Sequence, residues 1–133
     1  KIIIKKKLSK NVFLLGNKKN VFKYYKKASI FLLSSISEGM NLSLIEAIKY
    51  GMPIISSDCS LSHKNLIVHN QNAYLFNLKS DNQFIKYLIK LIKNEKTRRK
   101  FGSKSISMSK VFNNRIILQR WDILLEKLNI KFS

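Results

Sequence analysis

Ser29-Ile30-Phe31-Leu32-Leu33-Ser34, then Ser35-Ile36-Ser37-Glu38-Gly39-Met40-Asn41, then Leu42-Ser43-Leu44-Ile45-Glu46-Ala47, is the stretch that decides how this chain folds. Its first part carries a continuous apolar run, as in a strand buried on both faces of a sheet. Its second part, rich in Ser, Gly and Asn, predicts a loop. From about Leu42 to Tyr50 the pattern is helical, with Gly51 where a helix ends and Pro53 preventing its continuation. A strand, a loop and a helix in that order put the loop at the carboxyl edge of a sheet, where open α/β sheets bind ligands.

Working outward, Asn11-Val12-Phe13-Leu14-Leu15-Gly16 reads as a short buried strand ending in glycine. Asn20 is placed to cap a helix over 21–27, with Val21, Tyr24 and Tyr25 on one face. Pro53-Ile54-Ile55-Ser56-Ser57 is a further strand and Ala73-Tyr74-Leu75-Phe76 another, so the sheet is expected to have about four strands. Ser80-Asp81-Asn82-Gln83 is a capping box opening a helix with Phe84, Leu88, Leu91 and Ile92 inward. A helix over 96–109, loosened by Gly102, and one over 114–128 presenting Ile117, Trp121, Leu124, Leu125 and Leu128 complete the chain. Apolar strands alternating with helices predict an α/β, Rossmann-like parallel sheet flanked by helices, with a helical C-terminal segment. Residues 1–133 read as one partial domain that begins partway into a doubly wound fold, its first strand and helix missing.

The bulk composition narrows the function classes. At 133 residues and 45% hydrophobic, the chain can bury a core and is not a disordered tail. No apolar run approaches the length of a membrane span, and Ile2-Ile3-Ile4 is too short for a signal peptide. A single cysteine, Cys59, excludes an internal disulfide and fits a reducing, cytoplasmic compartment. The net charge of +19 invites a nucleic-acid or membrane reading. However, 22 Lys stand against 4 Arg, alongside 13 Asn and 18 Ile, the residues that an AT-rich coding sequence accumulates. The lysines are scattered, and Arg, the better reader of phosphates and base edges, is scarce. The pattern favours a solvated basic surface over a nucleic-acid site and leaves open peripheral contact with an anionic membrane face.

Two of the seven acidic residues, Glu38 and Glu46, stand eight positions apart across the loop–helix junction. Each has a plain reading. Ser43-Leu44-Ile45-Glu46 fits a capping box, Glu38 a solvated loop carboxylate paired with a lysine, and Gly39 an ordinary turn. Taken together they also fit a ligand site. The amides of Met40, Asn41 and Leu42 at a helix N-terminus can donate to an anionic or polar ligand, while Glu46, in the first helical turn, can accept a pair of hydroxyls. A sugar nucleotide offers those groups: a diphosphate, a ribose diol and hexose hydroxyls.

The run from Ala28-Ser29-Ile30-Phe31 through Ser37-Glu38-Gly39-Met40 to Glu46-Ala47 and Gly51-Met52-Pro53-Ile54-Ile55 resembles the retaining GT-B glycosyltransferases of family 4. Their signature is two glutamates with seven residues between, followed by an Ala and a Gly-Pro pattern. The strand ending at Gly16 is similar to the one that precedes it in that family. The resemblance covers nearly the whole chain but only the second half of the C-terminal, donor-binding domain. The N-terminal acceptor domain is therefore expected to be absent.

The resemblance implies that Glu38 contacts the donor hexose and stabilises the departing, positively charged sugar. It implies that Glu46 holds the ribose hydroxyls, that backbone amides around Gly39, Met40 and Asn41 contact the sugar, and that Leu42 flanks the nucleotide. Donor binding then needs no metal or other cofactor, and His63 and His69 read as isolated surface or loop histidines. The implied function is transfer of a hexose from a sugar nucleotide to a glycan or lipid-linked acceptor, in cell-envelope glycan synthesis. The chain departs from the family after the third strand, where Asp58-Cys59-Ser60-Leu61-Ser62-His63-Lys64-Asn65 replaces a glycine pair and a glutamate. It departs again at His69-Asn70-Gln71-Asn72-Ala73, in place of two glycines. Asn70 and Asn72 can supply the left-handed backbone that glycine usually provides. Most of the basic residues that hold the donor diphosphate in the family lie upstream of this segment, so the isolated chain is expected to be inactive. The competing readings are a non-catalytic basic α/β module for anionic membrane or nucleic acid, and a degenerate remnant.

Overall fold

The computed structural model describes residues 2–128. In chain order the elements are α1 (Ile2–Lys5), α2 (Phe22–Lys27), β1 (Phe31–Leu33), α3 (Leu42–Lys49), β2 (Ile54–Ser57), α4 (Leu61–Leu66), β3 (Ala73–Phe76), α5 (Asp81–Lys93), α6 (Glu95–Ser109), a single 3₁₀ turn (Lys110–Phe112) and α7 (Asn114–Lys127). The three strands form one parallel sheet in the order β1-β2-β3. Ile54 sits opposite both Phe31 and Ala73, and Ser57 opposite Phe76. Because all strands run the same way, the loops after β1, β2 and β3 share one edge.

Strand alternation divides the core into two layers. Ile54 and Ala73 face one side with Leu44, Ala47 and Ile48 of α3, joined by Phe31, Leu33 and Tyr25. Ile55, Tyr74 and Phe76 face the other with Leu91 of α5 and Phe101 of α6. All four residues of β2 are buried, as expected of the centre strand of a sheet covered on both faces.

The fourth strand expected over residues 11–16 does not form. This segment is irregular and exposed, with Phe13 at 70% and Leu14 at 86% exposure. An apolar run becomes a strand only if its amides and carbonyls find a ladder partner, and β1 pairs with β2 alone. Leu32, on the same face of the sheet as Ile55, is 47% exposed.

The observed helix ends follow some of the local sequence signals and not others. Gly51 adopts φ +65° after α3, and its amide bonds the Ile48 carbonyl while that of Met52 bonds the Ala47 carbonyl, both at 3.0 Å. That pair is a Schellman motif, which requires the left-handed residue. Asn20 does not cap α2; Val21 occupies that position with no side-chain bond. At α5 the capping box is half formed. Ser80 accepts from the Gln83 amide, but the Gln83 side chain accepts from the Asn77 amide instead of returning to Ser80. Phe84, Leu88 and Leu91 pack inward as expected, whereas Ile92 is 59% exposed.

α6 starts at Glu95, one residue before the expected start, capped by Asn94. Gly102 does not loosen it. It lets α6 approach the end of α3 so closely that a Cβ there would run into the Gly51 carbonyl oxygen. On α7 the expected apolar stripe is present but uncovered, with Trp121 and Leu128 more than half exposed.

Candidate functional site

The carboxyl edge of the sheet is built around the loop from β1 into α3. Its first fastening is a serine relay. Ser57, buried at the end of β2, donates its hydroxyl to the Ser35 carbonyl at 2.6 Å. The Ser35 hydroxyl in turn donates to Glu38 Oε1 at 2.5 Å. Glu38 is thus a half-buried carboxylate tied by a hydroxyl to the centre of the sheet, and the lysine partner that the sequence suggested is replaced by a serine. Gly39 follows with an ordinary backbone conformation and open space where a side chain would be. Neither a left-handed turn nor crowding by the protein demands a glycine there.

The second fastening is the cap of α3. Asn41 is 92% buried, the complement of its 8% exposure, and its Oδ1 accepts from the Leu44 amide at 3.0 Å and the Ser43 hydroxyl at 2.6 Å. This corrects the expected Ser43–Glu46 capping box. Asn41 offers its acceptor two residues earlier, and Glu46 falls in the second turn of the helix, beyond reach of the first amides. The side chain of Asn41 is therefore structural, while the amides at the start of α3 have no partner within the helix and carry its positive end. Met40 and Leu42, 73% and 67% exposed, project from the same junction.

Glu46, one helical turn beyond Leu42, faces back to α2. Its Oε2 accepts from the Tyr25 hydroxyl at 3.0 Å, and that hydroxyl also lies 3.5 Å from the Ser43 carbonyl. The Tyr25 hydroxyl is pushed up to about 12, first by burial and then by its bond to the Glu46 carboxylate and that group's charge. It stays a donor at any working pH. The sequence places Tyr25 on one helix face with Val21 and Tyr24 but not beside Glu46. The available signal was a phenol on an apolar face, which needs a partner for its hydroxyl.

The histidines depart from expectation more sharply. His63 is fully buried, with Nδ1 3.4 Å from the Ser56 hydroxyl and 3.6 Å from the Cys59 sulfur. Its Nε2 has no partner among the described residues. A short helix, α4, which the sequence did not announce, carries it under β2. His69 is half-buried and meets the stacked rings of Tyr74 and Tyr87 edge-on, and its Nδ1 accepts from the Leu75 amide at 2.9 Å. Asn70 takes the left-handed conformation at φ +62°. Asn72 does not; it is buried, accepting from the Val68 amide at 2.7 Å.

The arrangement therefore presents two carboxylates in different settings, Glu38 before a helix N-terminus and Glu46 one turn inside the helix, each with one oxygen held by a hydroxyl. Such a unit can accept hydroxyls at two places and an anion between them.

Comparison with known proteins places the chain in a family. The sequence profile of the family described as glycosyl transferases group 1 matches residues 1–108. An "uncharacterized glycosyltransferase" of Haemophilus influenzae is 33% identical over 102 residues, covering 77% of this chain and 29% of that protein. The GtfA subunit of a UDP-N-acetylglucosamine–peptide N-acetylglucosaminyltransferase of Streptococcus agalactiae is 34% identical over 134 residues, covering 96% of this chain and 26% of that one. Among solved structures, the pneumococcal O-GlcNAc transferase GtfA in complex with UDP and GlcNAc superimposes with a TM-score of 0.81 at 26% identity, over 98% of this chain and 27% of that chain. The chain thus spans less than a third of the length of these relatives.

Proposed function

This chain belongs to the glycosyl transferases group 1 family, and on that premise we propose that it forms the donor side of a retaining hexosyl transfer from a sugar nucleotide to a glycan or lipid-linked acceptor. The observation that carries this reading is the loop–helix unit: Glu38 and Glu46 on either side of the N-terminus of α3, each held by its own hydroxyl. UDP and GlcNAc in the pneumococcal relative support a sugar nucleotide as the ligand.

In this reading the α3 N-terminus and the amides around Gly39, Met40 and Asn41 meet the polar groups of the donor, where the helix dipole favours negative charge. Leu42 lies beside the nucleoside. Glu46 accepts the ribose diol. Glu38 sits at the hexose, where a fixed carboxylate stabilises positive charge on the sugar as it departs. Since Ser35 holds that carboxylate before the donor arrives, and Ser57 fastens the Ser35 main chain, little reorganisation is needed at the moment of reaction. Donor binding in this reading uses no metal. The lysine-rich surface holds the intact protein at the inner face of the cytoplasmic membrane, where envelope glycans are made; among the described residues no helix is long and apolar enough to cross a bilayer.

The test is nucleotide and sugar-nucleotide binding by calorimetry. Glu46→Ala is expected to weaken UDP binding by about tenfold, the scale of hydrogen bonds to a charged group. Glu38→Ala should leave UDP binding near the parent value but reduce discrimination among UDP-hexoses. Parent-like behaviour in both variants would refute the site.

A further inference from the structure

We propose that Tyr25 is a positioning residue for Glu46, fixing its carboxylate so that it takes up a ribose diol without first being ordered. This deepens the donor-site reading and rests on it. Tyr25 lies 21 positions before Glu46, on another helix, and its hydroxyl donates to Oε2 at 3.0 Å.

The ring itself is clamped. It stacks on Tyr50 at 5.6 Å and 15°, and it meets Phe31 at 6.1 Å and 40°. Tyr50 is stacked in turn on Phe22 at 5.8 Å. Tyr50 also closes α3 one turn after Glu46, so one ring spans both residues. The hydroxyl therefore occupies a place set by packing on both sides, and the carboxylate bound to it inherits that place.

Acceptor capacity allows the phenol and a diol to be bound together. An ionised carboxylate has about four lone-pair sites. Tyr25 occupies one, on Oε2, and two hydroxyls need two more. A free glutamate loses rotamer freedom when a ligand orders it. Here much of that ordering is already made in the fold. The burial and charge that hold the phenol protonated to about 12 keep it a donor throughout.

The experiment compares UDP with 2′-deoxyuridine 5′-diphosphate on the 133-residue chain, as parent, Glu46→Ala and Tyr25→Phe. Phenylalanine keeps the ring and its stacking and deletes only the hydroxyl. The parent is expected to prefer UDP, and Glu46→Ala to lose that preference. Tyr25→Phe is expected to bind UDP about fivefold more weakly, the scale of one hydrogen bond, with the deoxy compound changed less than twofold. If Tyr25→Phe keeps the parent affinity and preference while Glu46→Ala loses them, the positioning role is overturned and the donor site stands. If Glu46→Ala keeps the preference too, the ribose assignment falls and takes the positioning role with it. A second measurement needs no variant at Tyr25. With ring-labelled tyrosine, the folded parent should show a slowly exchanging Tyr25 hydroxyl proton that disappears in Glu46→Ala, and its absence from the parent would overturn the proposal.

Discussion

Tyr25 shows how a single side chain ties the fold to the site. Burial and the neighbouring Glu46 charge raise it from its ordinary 10.0 to about 12. The folded chain therefore holds this proton more tightly than the unfolded chain does. The stability it contributes is fully present below pH 10 and is lost as the pH rises through about 12. Urea midpoints at pH 8 and pH 11.5 should fall further for the parent than for Tyr25→Phe, which has no proton to lose; equal falls would show that Tyr25 is not the group responsible. The two chains differ only at this hydroxyl, so the difference between them is the informative quantity. Glu46 itself was legible in the sequence through its spacing from Glu38. Its partner was not, because nothing in residues 21–27 says which side of α3 they meet.

At the scale of elements, the junction of α3 with α6 is the most demanding contact. Gly51 must be left-handed to close the Schellman motif, and Gly102 must lack a side chain because the Gly51 carbonyl occupies its space. Ser105, one turn on, donates to the Met52 carbonyl at 3.2 Å across the same interface. Gly102→Ala pushes a methyl group against backbone rather than a flexible tip. It is expected to destabilise by about 1–3 kcal/mol, the usual cost of overpacking, despite the better helix propensity of alanine. A chemical-denaturation midpoint at or above that of the parent would show that α6 shifts freely. The sequence marked Gly51 correctly as a helix end. It marked Gly102 only as a weak point in a helix, since a close approach between segments 51 residues apart leaves no local trace.

For the whole molecule, the three-stranded sheet is covered on both faces at β2 but open along β1, and α7 carries an uncovered apolar stripe. In a coupled nucleotide-release assay, the 133 residues alone are expected to show no acceptor-dependent turnover. They span less than a third of the relatives' length, and the proposed donor site lies within that part. Turnover above the no-enzyme rate would reverse that view. The charge of +19 gives a second whole-molecule expectation. The chain should co-sediment with vesicles containing anionic lipid and be released as salt shortens the Debye length from about 10 Å at 0.1 M to about 3 Å at 1 M. Binding to neutral vesicles of equal strength would point to the apolar stripe on α7 in place of the lysines.

The sequence by itself determined the parallel α/β order, strands β2 and β3, the end of α3 and the placing of Glu38 and Glu46 at the carboxyl edge. Periodicity, glycine and proline punctuation and short motifs act over a few residues, and those residues adjoin in the chain. Only the tertiary structure decided that residues 11–16 stay out of the sheet, that Asn41 rather than Ser43 caps α3, and that His63 is buried. It also decided that Ser57 fastens the loop carrying Glu38 and that Tyr25 holds the Glu46 carboxylate. A ladder partner, a burial or a hydrogen bond between residues about twenty positions apart depends on how whole elements pack. A cap that two neighbours could each supply is settled by which one the packed helix brings into line.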